Sequence, residues 1–224
     1  METKKINLIT TCFVILVAFI LLLLLLKNKK ANEIETKESD IVTLFNGKDL
    51  SNWTFVLRGD TVDPATVFTV TDGIINIKGD PFGYMRTKDK YSDYILHVEW
   101  RWPVEPSNSG VFIHGQEPDA IWLKCIECQL MPGNAGDFVC MNGSDIKERE
   151  DKSKIVVRKI AESSEKAAGE WNTMEITCNG NTIEVVVNGT LQNRGTESNI
   201  SNGFICLQSE GKDVQFRNVY LTKL

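Results

Sequence analysis

The 224-residue sequence predicts an all-β sandwich or jelly roll that follows an apolar N-terminal segment. Three observations support this prediction. Short runs of alternating apolar and polar residues recur along the chain, no apolar face of helical period is sustained, and Gly and Asn separate the runs. No repeat of fixed length is visible, which disfavours a propeller or a solenoid.

The N-terminal segment predicts a transmembrane helix over residues 6–26. The run is almost entirely apolar, and lysines flank both of its ends. Roughly 20 apolar residues cross a bilayer as a helix. The run is long for a signal peptide and lacks a small-residue cleavage site, so an uncleaved anchor is favoured over a signal segment. Because positive charge lies on both sides, the lysines do not settle its orientation.

The remaining chain predicts a charged, solvated linker over residues 27–40 and one folded domain over residues 41–224. Residues 1–40 hold six of the 25 basic and five of the 30 acidic side chains, so the domain carries 19 basic and 25 acidic groups. Binding to nucleic acid requires a basic surface. An acidic domain therefore excludes nucleic acid as an expected partner.

The cysteines predict buried thiols rather than a disulfide framework. Five follow Cys12, which is an odd number, and Cys125 and Cys128 lie three residues apart in one predicted strand. Buried apolar thiols are the common structural role of free cysteine.

Eight runs carry the clearest strand pattern. They are residues 66–70, 74–77, 94–102, 123–130, 173–178, 182–188, 204–208 and 214–221. Turn residues predict hairpins between the first two runs and across Asn179-Gly180-Asn181, and residues 210–213 suit a tight turn. Two polar stretches, 144–154 and 161–170, are each predicted to be a loop or a short helix, and neither has an apolar face.

Polar residues cluster around the run at 123–130. Alternation puts Glu127 and Gln129 on one face of this strand, where a solvent-exposed outer face is the ordinary interpretation. Asn108 and His114 precede the strand, and alternation gives His114 the same face as Phe112. These residue types perform general acid–base catalysis or bind metals. A structural histidine is an equally good interpretation of His114.

Further candidate binding residues lie close by in the sequence. Asn134 and Asp137 follow the strand in a turn-rich segment, Lys124 is its second residue, and Trp122 immediately precedes it. Most tryptophans in a sandwich are core residues, but the indole of Trp122, beside the polar strand, is the best candidate for a platform that stacks on a sugar ring.

An ordered set of motifs resembles the 3-keto-disaccharide hydrolase family, formerly a domain of unknown function. The motifs are residues 44–53 (LFNGKDLSNW), 70–73 (VTDG), 91–94 (YSDY), 108–112 (NSGVF), 127–129 (ECQ), 169–172 (GEWN), 187–189 (VNG) and 214–219 (VQFRNV). The resemblance covers residues 41–224. It implies a concanavalin A-like jelly roll held in the bacterial cell envelope, with the domain outside the membrane, in the periplasm.

The resemblance also implies cleavage of 3-keto-glycosides or 3-keto-disaccharides, with an oligosaccharide or glycoside as substrate. A ketone at C3 acidifies the hydrogen on C2, so a base removes it, the C1 leaving group departs and water adds back. Such a site needs a base and groups that stabilise an oxyanion.

The expected residues of this site follow from the resemblance. The expected catalytic residues are His114, Glu127 and Gln129, with His114 or Glu127 as the base. The expected substrate-binding residues are Asn108, Trp122, Lys124, Asn134 and Asp137. A divalent metal ion held by His114, Glu127 and Gln129 is equally compatible. The alternatives are a non-catalytic carbohydrate-binding module and a structural envelope protein without a ligand.

Overall fold

The computed structural model describes residues 40–59 and 61–224, and Val42–Leu224 form one compact unit. Within these residues the chain forms fifteen β-strands and a single 3-10 turn at Pro64–Thr66. The strands are β1 Ile41–Thr43, β2 Trp53–Leu57, β3 Phe68–Thr71, β4 Ile74–Ile77, β5 Gly83–Thr87, β6 Tyr94–Arg101, β7 Gly110–Gly115, β8 Cys125–Gln129, β9 Phe138–Met141, β10 Val156–Val157, β11 Asn172–Asn179, β12 Thr182–Val187, β13 Thr190–Gly195, β14 Phe204–Ser209 and β15 Val214–Lys223.

The strands form two sheets. The first has the order β13-β12-β11-β6-β15-β4-β3, with β1 also paired to β15, and the second has the order β10-β9-β8-β7-β14-β5-β2. The pairings along both paths are antiparallel. The predicted jelly-roll sandwich is therefore confirmed.

The main core lies between the two sheets. Strand β6 shows how the sequence builds it, because Tyr94, Leu96, Val98 and Trp100 are buried while the residues between them are half-exposed. Alternation sends every second side chain to the same face of a strand. Burying each large apolar side chain contributes roughly 1.5–3 kcal/mol.

A second apolar cluster lies on the opposite face of the second sheet. Its buried members are Tyr84, Phe112, Leu123, Cys125, Val139, Met141, Phe204 and Cys206. Residues 116–124, which we call the strap, cross this face between β7 and β8. The strap is held by Arg86, whose guanidinium donates to both carboxylate oxygens of Asp119 at 2.7 and 2.8 Å, and by the Tyr84 hydroxyl, which donates to the Ala120 carbonyl at 3.1 Å.

Several local predictions are confirmed. The hairpins form as β3–β4 and β11–β12, and the five cysteines after Cys12 are free and buried. Residues 210–213 do not form a hairpin, because β14 and β15 belong to different sheets and each has other neighbours. The two polar stretches, 144–154 and 161–170, form loops and turns, and the short strand β10 begins just after the first of them.

The predicted membrane segment at 6–26 lies outside the described residues, as does the predicted linker apart from Asp40. Among residues 40–59 and 61–224, no helix combines the length and the apolar character that a bilayer crossing requires.

The burial of Phe216 in the main core predicts that Phe216→Ala is much less stable than the wild type. Phe216 is fully buried on β15, and truncating a buried Phe to Ala costs about 3–5 kcal/mol because a cavity remains. Denaturant unfolding measures the change. Val104 is 83% exposed, so Val104→Ala is the control and stays within about 0.5 kcal/mol of the wild type. Equal effects of the two variants would contradict the predicted core.

Candidate functional site

The site is built on β7, β8 and β14, and His114 does not belong to it. Phe112 pairs regularly with Glu127 across β7 and β8, but the register of β7 against β14 shifts near His114. The backbone of His114 has a φ of 53°, in the left-handed region that non-glycine residues seldom adopt. A β-bulge of this kind reverses the alternation of side chains.

The His114 side chain therefore points into the core between the sheets. Its ring centroid lies 6.0 Å from that of Tyr94, a fully buried residue of β6. The expectation that His114 shares a face with Phe112 is wrong for this reason. Burial lowers the pKa of His114 to about 4, so the imidazole is neutral.

The expected metal ligands do not converge. His114 lies on the core side of the second sheet, while Glu127 lies on its other face. Across the part of the chain that the structure describes, no group of three His, Cys, Asp or Glu side chains is arranged to hold a metal ion.

Glu127 is the centre of the site. Its carboxyl group lies against the backbone of Gly110 on β7, so closely that a Cβ at residue 110 would collide with Oε1. Only 4% of Glu127 is exposed. Burial, and secondly the negative charge of Glu210, raise the pKa of Glu127 to about 8. Glu127 is therefore a neutral carboxylic acid at pH 7.

A second carboxyl group, that of Glu210, stands at the end of β14. The Gln208 amide Nε2 donates to Glu210 Oε2 at 2.9 Å. Burial raises the pKa of Glu210, while the amides of Asn108 and Gln208 and the positive charge of Arg58 oppose that rise. The two carboxyl groups thus have different surroundings.

Three hydrogen-bond acceptors on or beside the strands of the site lack donors. Among the described residues, Glu127 Oε1, Asn108 Oδ1 and Gln208 Oε1 are buried and accept no hydrogen bond. Buried polar atoms are normally paired, and an unpaired one costs free energy. Hydroxyl groups are donors of the kind that these three oxygens lack.

Three expected site residues have structural partners. Gln129 Oε1 accepts from the backbone N–H groups of the next two residues at 2.9 and 3.0 Å. Asp137 accepts from Arg158 Nη1 at 2.7 Å and from the Lys159 backbone at 2.8 Å. Asn134 Oδ1 accepts from the same Arg158 nitrogen at 3.1 Å. These hydrogen bonds brace the turn between β8 and β9 and the start of the loop after β10.

Trp122 forms an exposed platform at the end of the strap. Its side chain is 57% exposed, and its ring centroid lies 4.8 Å from that of Phe82. The guanidinium carbon of Arg58 lies 5.2 Å from the Phe82 centroid and 5.9 Å from the Trp122 centroid. Lys124 immediately precedes β8, and its carbonyl accepts from the Gln116 backbone at 2.9 Å.

Sequence reasoning missed Gln208, Glu210, Arg58 and Phe82. A signal existed for two of them, because the alternation that begins at Phe204 gives Gln208 and Glu210 one face of the strand. The Gly after Glu210 instead favoured a tight turn. No local signal marks Arg58 or Phe82, which meet Trp122 only in the folded chain.

The fold and the site define a jelly roll of the glucanase type with a polar site on one sheet. A provisionally assigned glycosyl hydrolase from Parabacteroides distasonis superimposes with a TM-score of 0.62 at 20% identity, over 85% of this chain and 96% of that chain. The Bacillus licheniformis β-glucanase gives a TM-score of 0.56 at 14% identity, over 81% and 96%. The carbohydrate-binding module CBM66 from Bacillus subtilis gives 0.56 at 12% identity, over 75% and 93%.

At these identities the solved structures show a shared fold. Residues 40–222 match the model of the 3-keto-alpha-glucoside-1,2-lyase-like domain family, and the chain belongs to that family. The resemblance that the motifs indicate is thereby confirmed. No curated protein sequence matches the chain significantly.

The raised pKa of Glu127 predicts a pH-dependent difference between the wild type and Glu127→Gln. The folded chain binds this proton more tightly than the unfolded chain, where the ordinary value is 4.5. The stabilisation is therefore complete below about pH 4.5 and is lost as pH rises to about 8. Between these values the wild type loses about 1.4 kcal/mol per pH unit relative to the variant.

Denaturant unfolding at a series of pH values measures this difference. The infrared carbonyl band of a protonated carboxyl group, present at pH 7 in the wild type and missing in Glu127→Gln, provides a direct check. Unfolding free energies that run parallel from pH 5 to pH 8 would show that Glu127 titrates normally.

Proposed function

We propose that this domain cleaves 3-keto-glycosides by removing the C2 proton, eliminating the C1 substituent and hydrating the product. The observation that carries the proposal is the pair of neighbouring carboxyl groups, Glu127 and Glu210, among buried oxygens that lack donors. Family membership supports the same chemistry, because the family is described as 3-keto-alpha-glucoside-1,2-lyase-like.

The chemistry needs two proton-transfer groups. A base takes the C2 proton, which the neighbouring ketone acidifies, and an acid protonates the oxygen that leaves C1. Water then adds to C1 of the unsaturated product, and a proton returns to C2. The site offers two carboxyl groups for these tasks, and the sequence-based expectation that His114 is the base loses its geometric support.

Sugar binding has its own support in the site. The free acceptors of Asn108 and Gln208 match the hydroxyl donors of a sugar. The exposed face of Trp122, backed by Phe82, suits stacking on a pyranose ring.

A non-catalytic carbohydrate-binding module is the second candidate function. The exposed Trp122–Phe82 platform favours it, since such a platform binds sugar without any catalysis. The two candidates differ in whether product is released.

We also propose that the apolar segment at 6–26 anchors the domain on the outer side of the membrane. The length of the segment and the glycoside-directed site support this location, and its orientation rests on the site alone. Labelling of intact cells with a membrane-impermeant amine reagent tests it.

The deciding experiment incubates the purified protein with a 3-keto-disaccharide and with its unoxidised parent, each with and without a chelator. We expect free sugar from the keto substrate alone. Release from neither substrate, with binding retained, would favour the binding module. Release from both would refute the requirement for the ketone. Loss of activity with chelator would show that a metal ion takes part.

Glu127→Gln is predicted to lower turnover of the 3-keto-disaccharide by at least about 100-fold, because general acid–base groups contribute about 10²–10⁴. Sugar affinity should fall only modestly, since the amide fills the same space. Glu105→Gln is the matched control, because the Glu105 side chain is 68% exposed. A Glu127→Gln variant that retains wild-type turnover would remove Glu127 from the mechanism.

A further inference from the structure

We propose that the two carboxyl groups have fixed and different roles, with Glu210 as the base at C2 and Glu127 as the acid for the leaving oxygen. This assignment rests on the proposed function and deepens it. It gives a catalytic role to Glu210, a residue that the sequence pattern assigns to a turn. It also reverses the role expected for Glu127 as a base.

The surroundings of Glu127 favour the neutral acid. Phe112 and Val139 lie directly opposite it on the two neighbouring strands, and both are buried. The titratable groups coupled to Glu127 are Glu210 and the thiols of Cys125 and Cys128. All of these are neutral or negative, so none of them stabilises a carboxylate at residue 127.

Burial raises the pKa of Glu210 as well, but of the two carboxyl groups it is the one whose charged form has stabilising partners. Glu210 lies at a strand end and is half-buried, the Gln208 amide donates to it, and the positive charge of Arg58 acts on it. Donors and positive charge both stabilise a carboxylate. This division resembles other sites in which environment separates the roles of two carboxyl groups.

The two carboxyl groups come from strands on either side of β7. Glu127 is on β8, Glu210 follows β14, and β7 lies between these strands. Strands two apart in a sheet are separated by about 10 Å. Gly110 begins β7, and the Glu127 carboxyl group fills the space that a side chain there would take, so this group leans from β8 over β7 toward β14. Asn108 lies just before Gly110.

The proposed steps balance. In the elimination, Glu210 takes the C2 proton, the C2–H electron pair forms the C1–C2 double bond, and the C1–O bond breaks as its oxygen takes the proton of Glu127. In the hydration, the Glu127 carboxylate takes a proton from the water that adds to C1, and Glu210 returns its proton to C2. Both groups end as they began, and no redox partner is needed.

The test compares Glu127→Gln and Glu210→Gln on two substrates that differ only in the leaving group, methyl 3-keto-glucoside and 4-nitrophenyl 3-keto-glucoside. Nitrophenolate leaves without acid assistance, whereas methoxide does not. For Glu127→Gln we therefore expect turnover of the methyl substrate to fall by at least about 100-fold and turnover of the nitrophenyl substrate to fall only a few-fold. For Glu210→Gln we expect turnover of both substrates to fall by at least about 100-fold.

A second readout follows deuterium uptake at C2 of 3-keto-glucose in heavy water, corrected for uptake without protein. Glu127→Gln should retain this exchange, and Glu210→Gln should lose it. If Glu210→Gln fails to fold, Glu210→Asp replaces it and should keep weak exchange, because the carboxylate is present but withdrawn by one methylene. Glu105→Gln again serves as the control.

The outcomes separate the two proposals. If the wild type releases nothing from either glycoside, the proposed function fails, and this assignment fails with it. The wild type can be active while Glu127→Gln turns over neither glycoside and shows no exchange at C2. If Glu210→Gln then retains turnover and exchange, the roles of the two carboxyl groups are reversed. Equal losses on both substrates for both variants would overturn the division of roles while leaving the function intact.

Discussion

The site depends on the burial of one carboxyl group, that of Glu127, against the bare backbone of Gly110. This close approach needs a glycine, because any Cβ at residue 110 would collide with the carboxyl oxygen. It also removes the carboxyl group from water, so its charged form is disfavoured. The geometry of one strand pair thereby determines the protonation state at the centre of the site.

Local sequence pattern predicts much of the fold and part of the candidate site. Alternation correctly predicts the buried face of β6 and two hairpins. It also assigns Glu127 and Gln129 to one strand face, but it does not predict the burial of Glu127, which depends on the neighbouring strands β7 and β9. Burial by segments distant in sequence leaves no period in the strand itself.

His114 and Glu210 show where local pattern fails. One residue in a left-handed conformation moves His114 to the other side of the sheet, because a single-residue shift reverses the face of every side chain. Glu210 precedes a glycine, which predicts a turn, while its position at the end of β14 depends on β14 and β15 joining different sheets. Both features are set by long-range strand pairing.

The burial of the five thiols determines how the domain responds to oxidants. Cys125, Cys128 and Cys206 lie under or beside the site with their pKa values raised by burial, and none of the five is cross-linked. Oxidation of cysteine proceeds through the exposed thiolate, which these residues do not offer. The described domain is therefore held by non-covalent interactions, and a reducing compartment would find no disulfide in it to break.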